Sequence, residues 1–256
     1  MEIFDEVFTL KGQNAIITGG ATGLGFAMAK CIISAGANVI IIGIEKEELL
    51  EKACKELGDN ASYYQFDITD TNATPALIKK IIEKYKKIHI LINNAGIHCK
   101  KPIEEMSVED FTSVLNVHIV ASFALTKALI SHMKENKKGS IVFISSMTGF
   151  LGQPYVTGYS AAKSAVLGMV RTLATEVSSE GIRINAIAPG WIETPMLHKA
   201  LDGDTERKNK ILGRTPMKKF GKPEDIGWAA VYLCSNAAAF VNGVSLIIDG
   251  GALIGF

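Results

Sequence analysis

The chain has 256 residues, 48% apolar and 21% charged, with a net charge of +1, enough apolar material to bury a sizeable core. Lys and Arg are scattered without a basic stripe, which argues against a nucleic-acid partner or an anionic membrane, and no apolar run nears the ~18 residues of a spanning helix. The opening "MEIFDEVFTLKGQ" is acidic where a secretory leader is basic, so a soluble, cytoplasmic protein is expected.

Short apolar runs alternate with helical stretches along the chain. "NAIIT" (14–18) precedes "LGFAMAKCIISAG", "NVIII" (38–42) precedes "KEELLEKACKELG", and "ASYYQF" (61–66) precedes "NATPALIKKIIEKYKK". "IHILIN" (88–93) leads through a loop to a helical stretch near 108–136, and "SIVFIS" (140–145) leads to a helix that begins around "YSAAK". "IRINAIA" (182–188) is followed by an irregular stretch and then "PEDIGWAAVYLCS"; "VSLIID" (244–249) closes the series. Continuously apolar strands separated by helices predict a parallel sheet covered on both faces. The expected architecture is α/β: residues 1–256 as a single doubly wound, Rossmann-type domain with a seven-stranded parallel sheet. The polar, weakly periodic segment 191–222 follows the sixth strand at the ligand-binding edge of such a sheet, and is expected to be a substrate lid.

The four cysteines, Cys31, Cys54, Cys99 and Cys234, form no C-x-x-C pair, so reduced thiols are expected. The five histidines lack the spacings of a metal site, and no metal is expected.

"TGGATGLG" (18–25) joins the first strand to the first helix. Glycines there let the backbone approach a pyrophosphate, which the free N–H groups of the helix N-terminus then bind. The alternative is a turn that needs glycine only for its backbone angles. The spacing, Gly19-x-x-x-Gly23-x-Gly25, is longer than G-x-G-x-x-G. Farther along, Tyr159 and Lys163 in "YSAAK" lie four apart, on one face of a helix. Either the lysine reaches past a packed tyrosine to water, or its charge lowers the phenol pKa, about 10 when free, toward neutrality.

With these motifs in view the chain resembles the short-chain dehydrogenase/reductase family over essentially its whole length. The first turn follows the family's T-G-x-x-x-G-x-G; "NNAG" (93–96), Asn116 in "VLNVHIV", "ISSMTG" (144–149), YSAAK and "PGWIET" (189–194) follow in the family's order. The resemblance implies Tyr159 as general acid/base, Lys163 supporting it and binding the nicotinamide ribose, and Ser146, thirteen positions before the tyrosine, hydrogen-bonding the substrate oxygen. Ser145 is expected to orient the strand end. Asn116 is implied to hold a water that links Lys163 to solvent; a helix asparagine satisfied by a neighbouring carbonyl is the alternative. Implied cofactor contacts are Gly19, Thr22, Gly23, Leu24, Gly25, Ile44, Asp67, Ile68, Asn93, Ala95, Gly96, Tyr159, Lys163, Pro189, Gly190, Ile192 and Thr194.

The implied reaction is hydride transfer between nicotinamide and a secondary alcohol or ketone. At the second strand end, Gly43 and Ile44 satisfy neither the acidic signature of NAD users nor the basic one of NADP users. Glu45 tips the expectation toward NAD, with NADP as the alternative. His98, Lys100, Gln153 and Trp191, with Ser146 and Tyr159, are expected to border the substrate, although Lys100 and Lys101 also fit a solvated loop. A polar, partly cationic rim suits a sugar acid. From "FTLKGQ" through "RTPMKKFGKPEDIGWAAVYLCSNAAAFVNGVSLIIDGG" the chain looks similar to the gluconate 5-dehydrogenase and 2-deoxygluconate 3-dehydrogenase branch; the 3-oxoacyl carrier-protein reductases share most of its motifs. A nucleotide-binding regulator without activity is a further alternative. The family resemblance and the apolar faces of the helices near 108–136 and 157–180 imply a homotetramer, with a dimer possible.

Overall fold

The computed structural model describes residues 6–255, without the side chains of Met196, Lys199 and Ala200. Seven parallel strands form one sheet in the order β3-β2-β1-β4-β5-β6-β7. They are β1 Asn14–Thr18, β2 Asn38–Gly43, β3 Ala61–Gln65, β4 Ile90–Asn93, β5 Gly139–Ile144, β6 Ile182–Pro189 and β7 Ser245–Ile248. All seven predicted strands are present, with ends displaced by one or two residues.

Nine α-helices connect or flank the strands: α1 Gly23–Ser34, α2 Glu47–Leu57, α3 Thr74–Tyr85, α4 Val108–Leu115, α5 Ser122–Glu135, α6 Thr157–Val177, α7 Pro195–Leu201, α8 Thr205–Arg214 and α9 Pro223–Cys234 among the described residues. Successive strand residues point to opposite faces, which is why the strands are apolar throughout. Ile17 and Ile41 join Met28 of α1 and Ile226 of α9 in one core. Their neighbours Ile16 and Ile40 join Leu125 of α5 and Val166 of α6 in the other.

The chain first winds outward from β1 through β2 to β3, then returns to place β4 on the other side of β1. This reversal opens a crevice at the carboxyl ends of β1 and β4, the usual ligand position in such sheets. It lies between the first glycine turn and NNAG.

The helical path from Val108 to Glu135 is continuous, but its middle, Asn116–Ala121, is π-helical. The Ser122 hydroxyl donates to the carbonyls of His118, at 2.7 Å, and Ile119, at 3.1 Å, within the widened turn. Polar residues interrupt the apolar run, as read from the sequence, yet the 28-residue stretch contains an 18-residue window with the mean hydropathy, 1.6, of a membrane-crossing helix. Leu125, Leu129 and Met133 are committed to the core beneath the sheet instead.

The segment after β6 is more regular than its sequence suggests. Thr194 caps α7 by accepting from the Leu197 N–H, and Asp204 caps α8 by accepting from the Arg207 N–H. A bridge between Ile192 and Gly221 closes its base.

Candidate active site

The glycine turn is built by contact as much as by flexibility. Gly19 and Gly23 have φ of 62° and 55°, in the left-handed region. A side chain at Gly25 would sit 2.0 Å from the Gly19 carbonyl oxygen, so α1 can start close behind the turn only with glycine there. No side chain caps the N-terminus of α1, which leaves its first N–H groups available to an anion.

NNAG is fastened to β1 alongside. The Thr18 hydroxyl accepts from the Asn94 and Ala95 N–H groups, each at 3.0 Å, and the Asn94 side chain donates to the carbonyls of Thr18 and Gly19. Asn94 thus takes a structural role that the sequence did not suggest. The Asn93 side chain is buried behind the loop and donates to the Thr126 hydroxyl.

A cavity of about 420 Å³ runs along this edge. Of the expected cofactor contacts, Gly19, Thr22, Gly23, Leu24, Ile44, Asp67, Ile68, Ala95, Gly96, Tyr159, Lys163 and Thr194 line it. Gly25, Asn93, Pro189, Gly190 and Ile192 do not. Gly25 supports the turn from behind, and Ile192 is buried in the bridge to Gly221. Gly190 is small because a Cβ would lie 2.6 Å from that of Asp249.

Tyr159 and Lys163 meet at the floor of the cavity. The Lys163 ammonium is buried, 5.3 Å from the centre of the Tyr159 ring, and donates to the Ile144 carbonyl oxygen at 2.6 Å. Burial pushes its pKa down to about 7. Burial also pushes the Tyr159 phenol up, while a hydrogen bond with the Ser146 side chain pulls it back in part. The expectation that Lys163 draws the phenol below its ordinary value is therefore not met by the protein alone. Desolvation disfavours the phenolate by more than the Ser146 hydrogen bond favours it.

Ser145 and Ser146 have different partners. The buried Ser145 hydroxyl donates to the Lys163 carbonyl at 2.9 Å, tying β5 to α6. Ser146 caps the 3₁₀ turn Met147–Gly149 by accepting from the Thr148 N–H, and its side chain reaches Tyr159.

Two imidazoles bracket the tyrosine. His98 stacks on its ring with centroids 4.0 Å apart, and His118 meets it edge-on at 5.4 Å. Burial and the Lys163 charge push both histidines down in pKa, His118 to about 3; His98 keeps this shift although much of the residue is solvent-exposed.

Asn116 departs from the expected site. It opens the π-turn, is exposed and does not line the cavity, whereas His118, two residues on, is buried and lines it. The wide turn thus leaves the Asn116 side chain outside and brings Val117 and His118 to the cavity wall.

Of the expected substrate contacts, only His98 and Tyr159 line the cavity. Ser146 is buried beside Tyr159, while Gln153 and Trp191 lie outside the lining. The Lys100 ammonium points over the exposed Tyr155 ring at 6.0 Å, and Lys101 is paired with Asp110 at 2.6 Å. Glu45 is the main contact left out of the sequence-derived list. It lines the cavity, and its Oε2 is buried without a hydrogen-bond partner. The signal was its nearness to the second strand end.

Fold and site together define a nucleotide-dependent oxidoreductase. A family model described as "Enoyl-(Acyl carrier protein) reductase" matches residues 19–252. The 3-oxoacyl-[acyl-carrier-protein] reductase FabG of Thermotoga maritima is 37% identical over 247 residues, covering 96% of this chain and 99% of that protein. The 5-keto-D-gluconate 5-reductase of Escherichia coli K12 is 36% identical over 252 residues, covering 98% and 99%. The crystal structure of a gluconate 5-dehydrogenase from Burkholderia cenocepacia, in complex with NADP and tartrate, superposes with a TM-score of 0.92 at 30% identity, covering 97% of this chain and 98% of that one. The chain belongs to the short-chain dehydrogenase/reductase family and is an NAD(P)-dependent oxidoreductase acting on CH–OH groups.

Proposed function

We propose that the chain interconverts a secondary alcohol and a ketone on a sugar acid or similarly small polar substrate, in the manner of a gluconate 5-dehydrogenase, with Tyr159 as general acid/base. The observation that carries this reading is the meeting of Tyr159, Ser146 and Lys163 at the floor of a cavity whose other end is the glycine turn. When bound, the nicotinamide supplies or accepts the hydride. In the reducing direction the Tyr159 hydroxyl gives its proton to the substrate oxygen, and burial, by holding the phenol protonated, prepares that step. The Ser146 hydroxyl donates to the same oxygen as negative charge develops on it. Lys163 stabilises the phenolate left behind.

The residues present fit a dinucleotide. The uncapped start of α1 suits the pyrophosphate, with Thr22, Gly23 and Leu24 around it. The orphaned Glu45 carboxylate oxygen suits a ribose hydroxyl as donor, and Asp67 and Ile68 lie where an adenine would rest. A carboxylate at that position repels a 2′-phosphate, so NAD is the preferred cofactor, although the Burkholderia relative carries NADP.

The segment 191–222 acts as a substrate lid on a single catalytic domain, since Thr194 and Pro195 from its near end reach the cavity wall. Exposed Val120 and Phe123 on the helical path, with Ile247 on the edge strand, support assembly as a homotetramer. Four free cysteines support a reducing, cytoplasmic location.

The test is turnover of both nicotinamide cofactors against a panel of keto-sugar acids, simple ketones and 3-oxoacyl thioesters. Preferred reduction of the keto-sugar acids is expected. Preference for the thioesters would favour the carrier-protein reductase reading, which the Thermotoga relative supports. Inactivity across the panel would favour a regulator.

A further inference from the structure

We propose that His118 is a further residue that serves Tyr159: a positioning residue whose neutral imidazole fixes the phenol ring and offers the proton relay an acceptor nitrogen. The inference rests on the catalytic reading above.

Three contacts hold the ring. Its edge meets the Tyr159 ring at 84°. Its Nε2 lies 2.9 Å from the Ile97 carbonyl oxygen and 3.2 Å from the Ile97 N–H nitrogen. One nitrogen cannot both donate and accept here, and the shorter contact selects Nε2–H as donor to the carbonyl. The third contact is steric. A Cβ on Gly96 would lie 2.1 Å from His118 Cε1, so the glycine of NNAG leaves the space that the imidazole occupies. The loop beneath the nucleotide and the acid/base residue are thereby braced by the same side chain.

With Nε2–H engaged, the lone pair lies on Nδ1. No hydrogen bond uses Nδ1 among the described residues, and the ring lines the cavity beside Tyr159 and Lys163. Each turnover in the reducing direction consumes one solvent proton, which must reach the Tyr159 phenolate. An acceptor nitrogen on that wall can order a hydrogen-bonded path without holding the proton itself. The groups facing it are Tyr159, Lys163 and His98. Lys163 and His98 both disfavour a charged His118, as does burial, so the ring stays neutral through the working pH range.

The test uses the full chain and two variants, His118→Phe and His118→Asn, with kcat, KM and melting temperature measured for each. His118→Phe keeps the ring shape but loses the nitrogens, and kcat is expected to fall about tenfold or more, with cofactor KM changed less than about threefold. His118→Asn keeps a neutral hydrogen-bonding group and is expected to recover most of that loss. Independently of turnover, ¹⁵N spectra of the histidines are expected to show His118 as the neutral Nε2–H tautomer from pH 5 to 8.

Wild-type turnover with a His118→Phe variant within twofold of it would overturn the inference alone, as would an Nδ1–H tautomer or an imidazolium. A wild-type chain inactive on every ketone would overturn the catalytic reading beneath it.

Discussion

Lys163→Met replaces a buried ammonium with a side chain of similar length and no charge. In the folded chain the lysine pKa falls from 10.5 to about 7. At about 1.4 kcal/mol per pH unit, this amounts to a folding penalty of about 5 kcal/mol at pH 7 and below. The sign follows from proton binding. Between pH 7 and 10.5 the unfolded chain holds the lysine proton more tightly than the folded one, so this penalty fades as pH rises through that window. The methionine variant escapes the penalty but leaves the buried Ile144 carbonyl oxygen without its donor, a cost of about 1–3 kcal/mol. The variant should therefore be more stable than wild type by about 2–4 kcal/mol at pH 7, and less stable near pH 10.5, while losing activity. Urea unfolding of both proteins at pH 6.5, 8 and 10, followed by tryptophan fluorescence, measures the difference directly. A stability difference that does not change with pH would refute the argument, because it would mean that Lys163 keeps its charge equally well in both states.

Tyr159→Phe should lower kcat by about a thousandfold while dissociation constants for the nicotinamide cofactor stay within a few-fold; steady-state rates and fluorescence titration report the two effects separately. Gly25→Ala should abolish measurable nucleotide binding, since the new methyl would lie 2.0 Å from the Gly19 carbonyl oxygen, and calorimetric titration would show it. NADH should bind at least about tenfold more tightly than NADPH, and Glu45→Ser should narrow the ratio by relieving repulsion of the 2′-phosphate; an unchanged ratio in the variant would remove Glu45 from cofactor choice. Lowering the pH from 6.5 toward 3 should destabilise the fold, because His118 must be buried neutral while the unfolded chain takes up its proton; His118→Asn should flatten that part of the pH–stability curve.

The strand runs, the glycine turn and the Tyr159–Lys163 spacing were legible in the linear chain. Local patterns dictate them: apolar residues on both sides of each strand, glycine where a side chain would strike backbone, and four-residue spacing on one helix face. What could not be read there depends on geometry between distant segments. Whether a lysine four residues from a tyrosine lowers the phenol pKa depends on how far both are desolvated, and burial pushed the phenol up. Which side chains of "VLNVHIV" face the cavity depends on a π-turn, where Asn116 is exposed and His118, two residues on, is buried, and an α-helical reading cannot supply that turn. Glu45 reaches the cavity because its carboxylate folds back over Gly43, a path set by the turn after β2. Sequence periodicity thus determined the sheet and the shared helix face of Tyr159 and Lys163, since those rest on neighbours along the chain, while the chemistry of the pair was implied by the family resemblance. Tertiary packing decided which side chains accompany the pair and what charge they carry, since desolvation and face exposure arise only when β4, the π-turn and α6 close around one another.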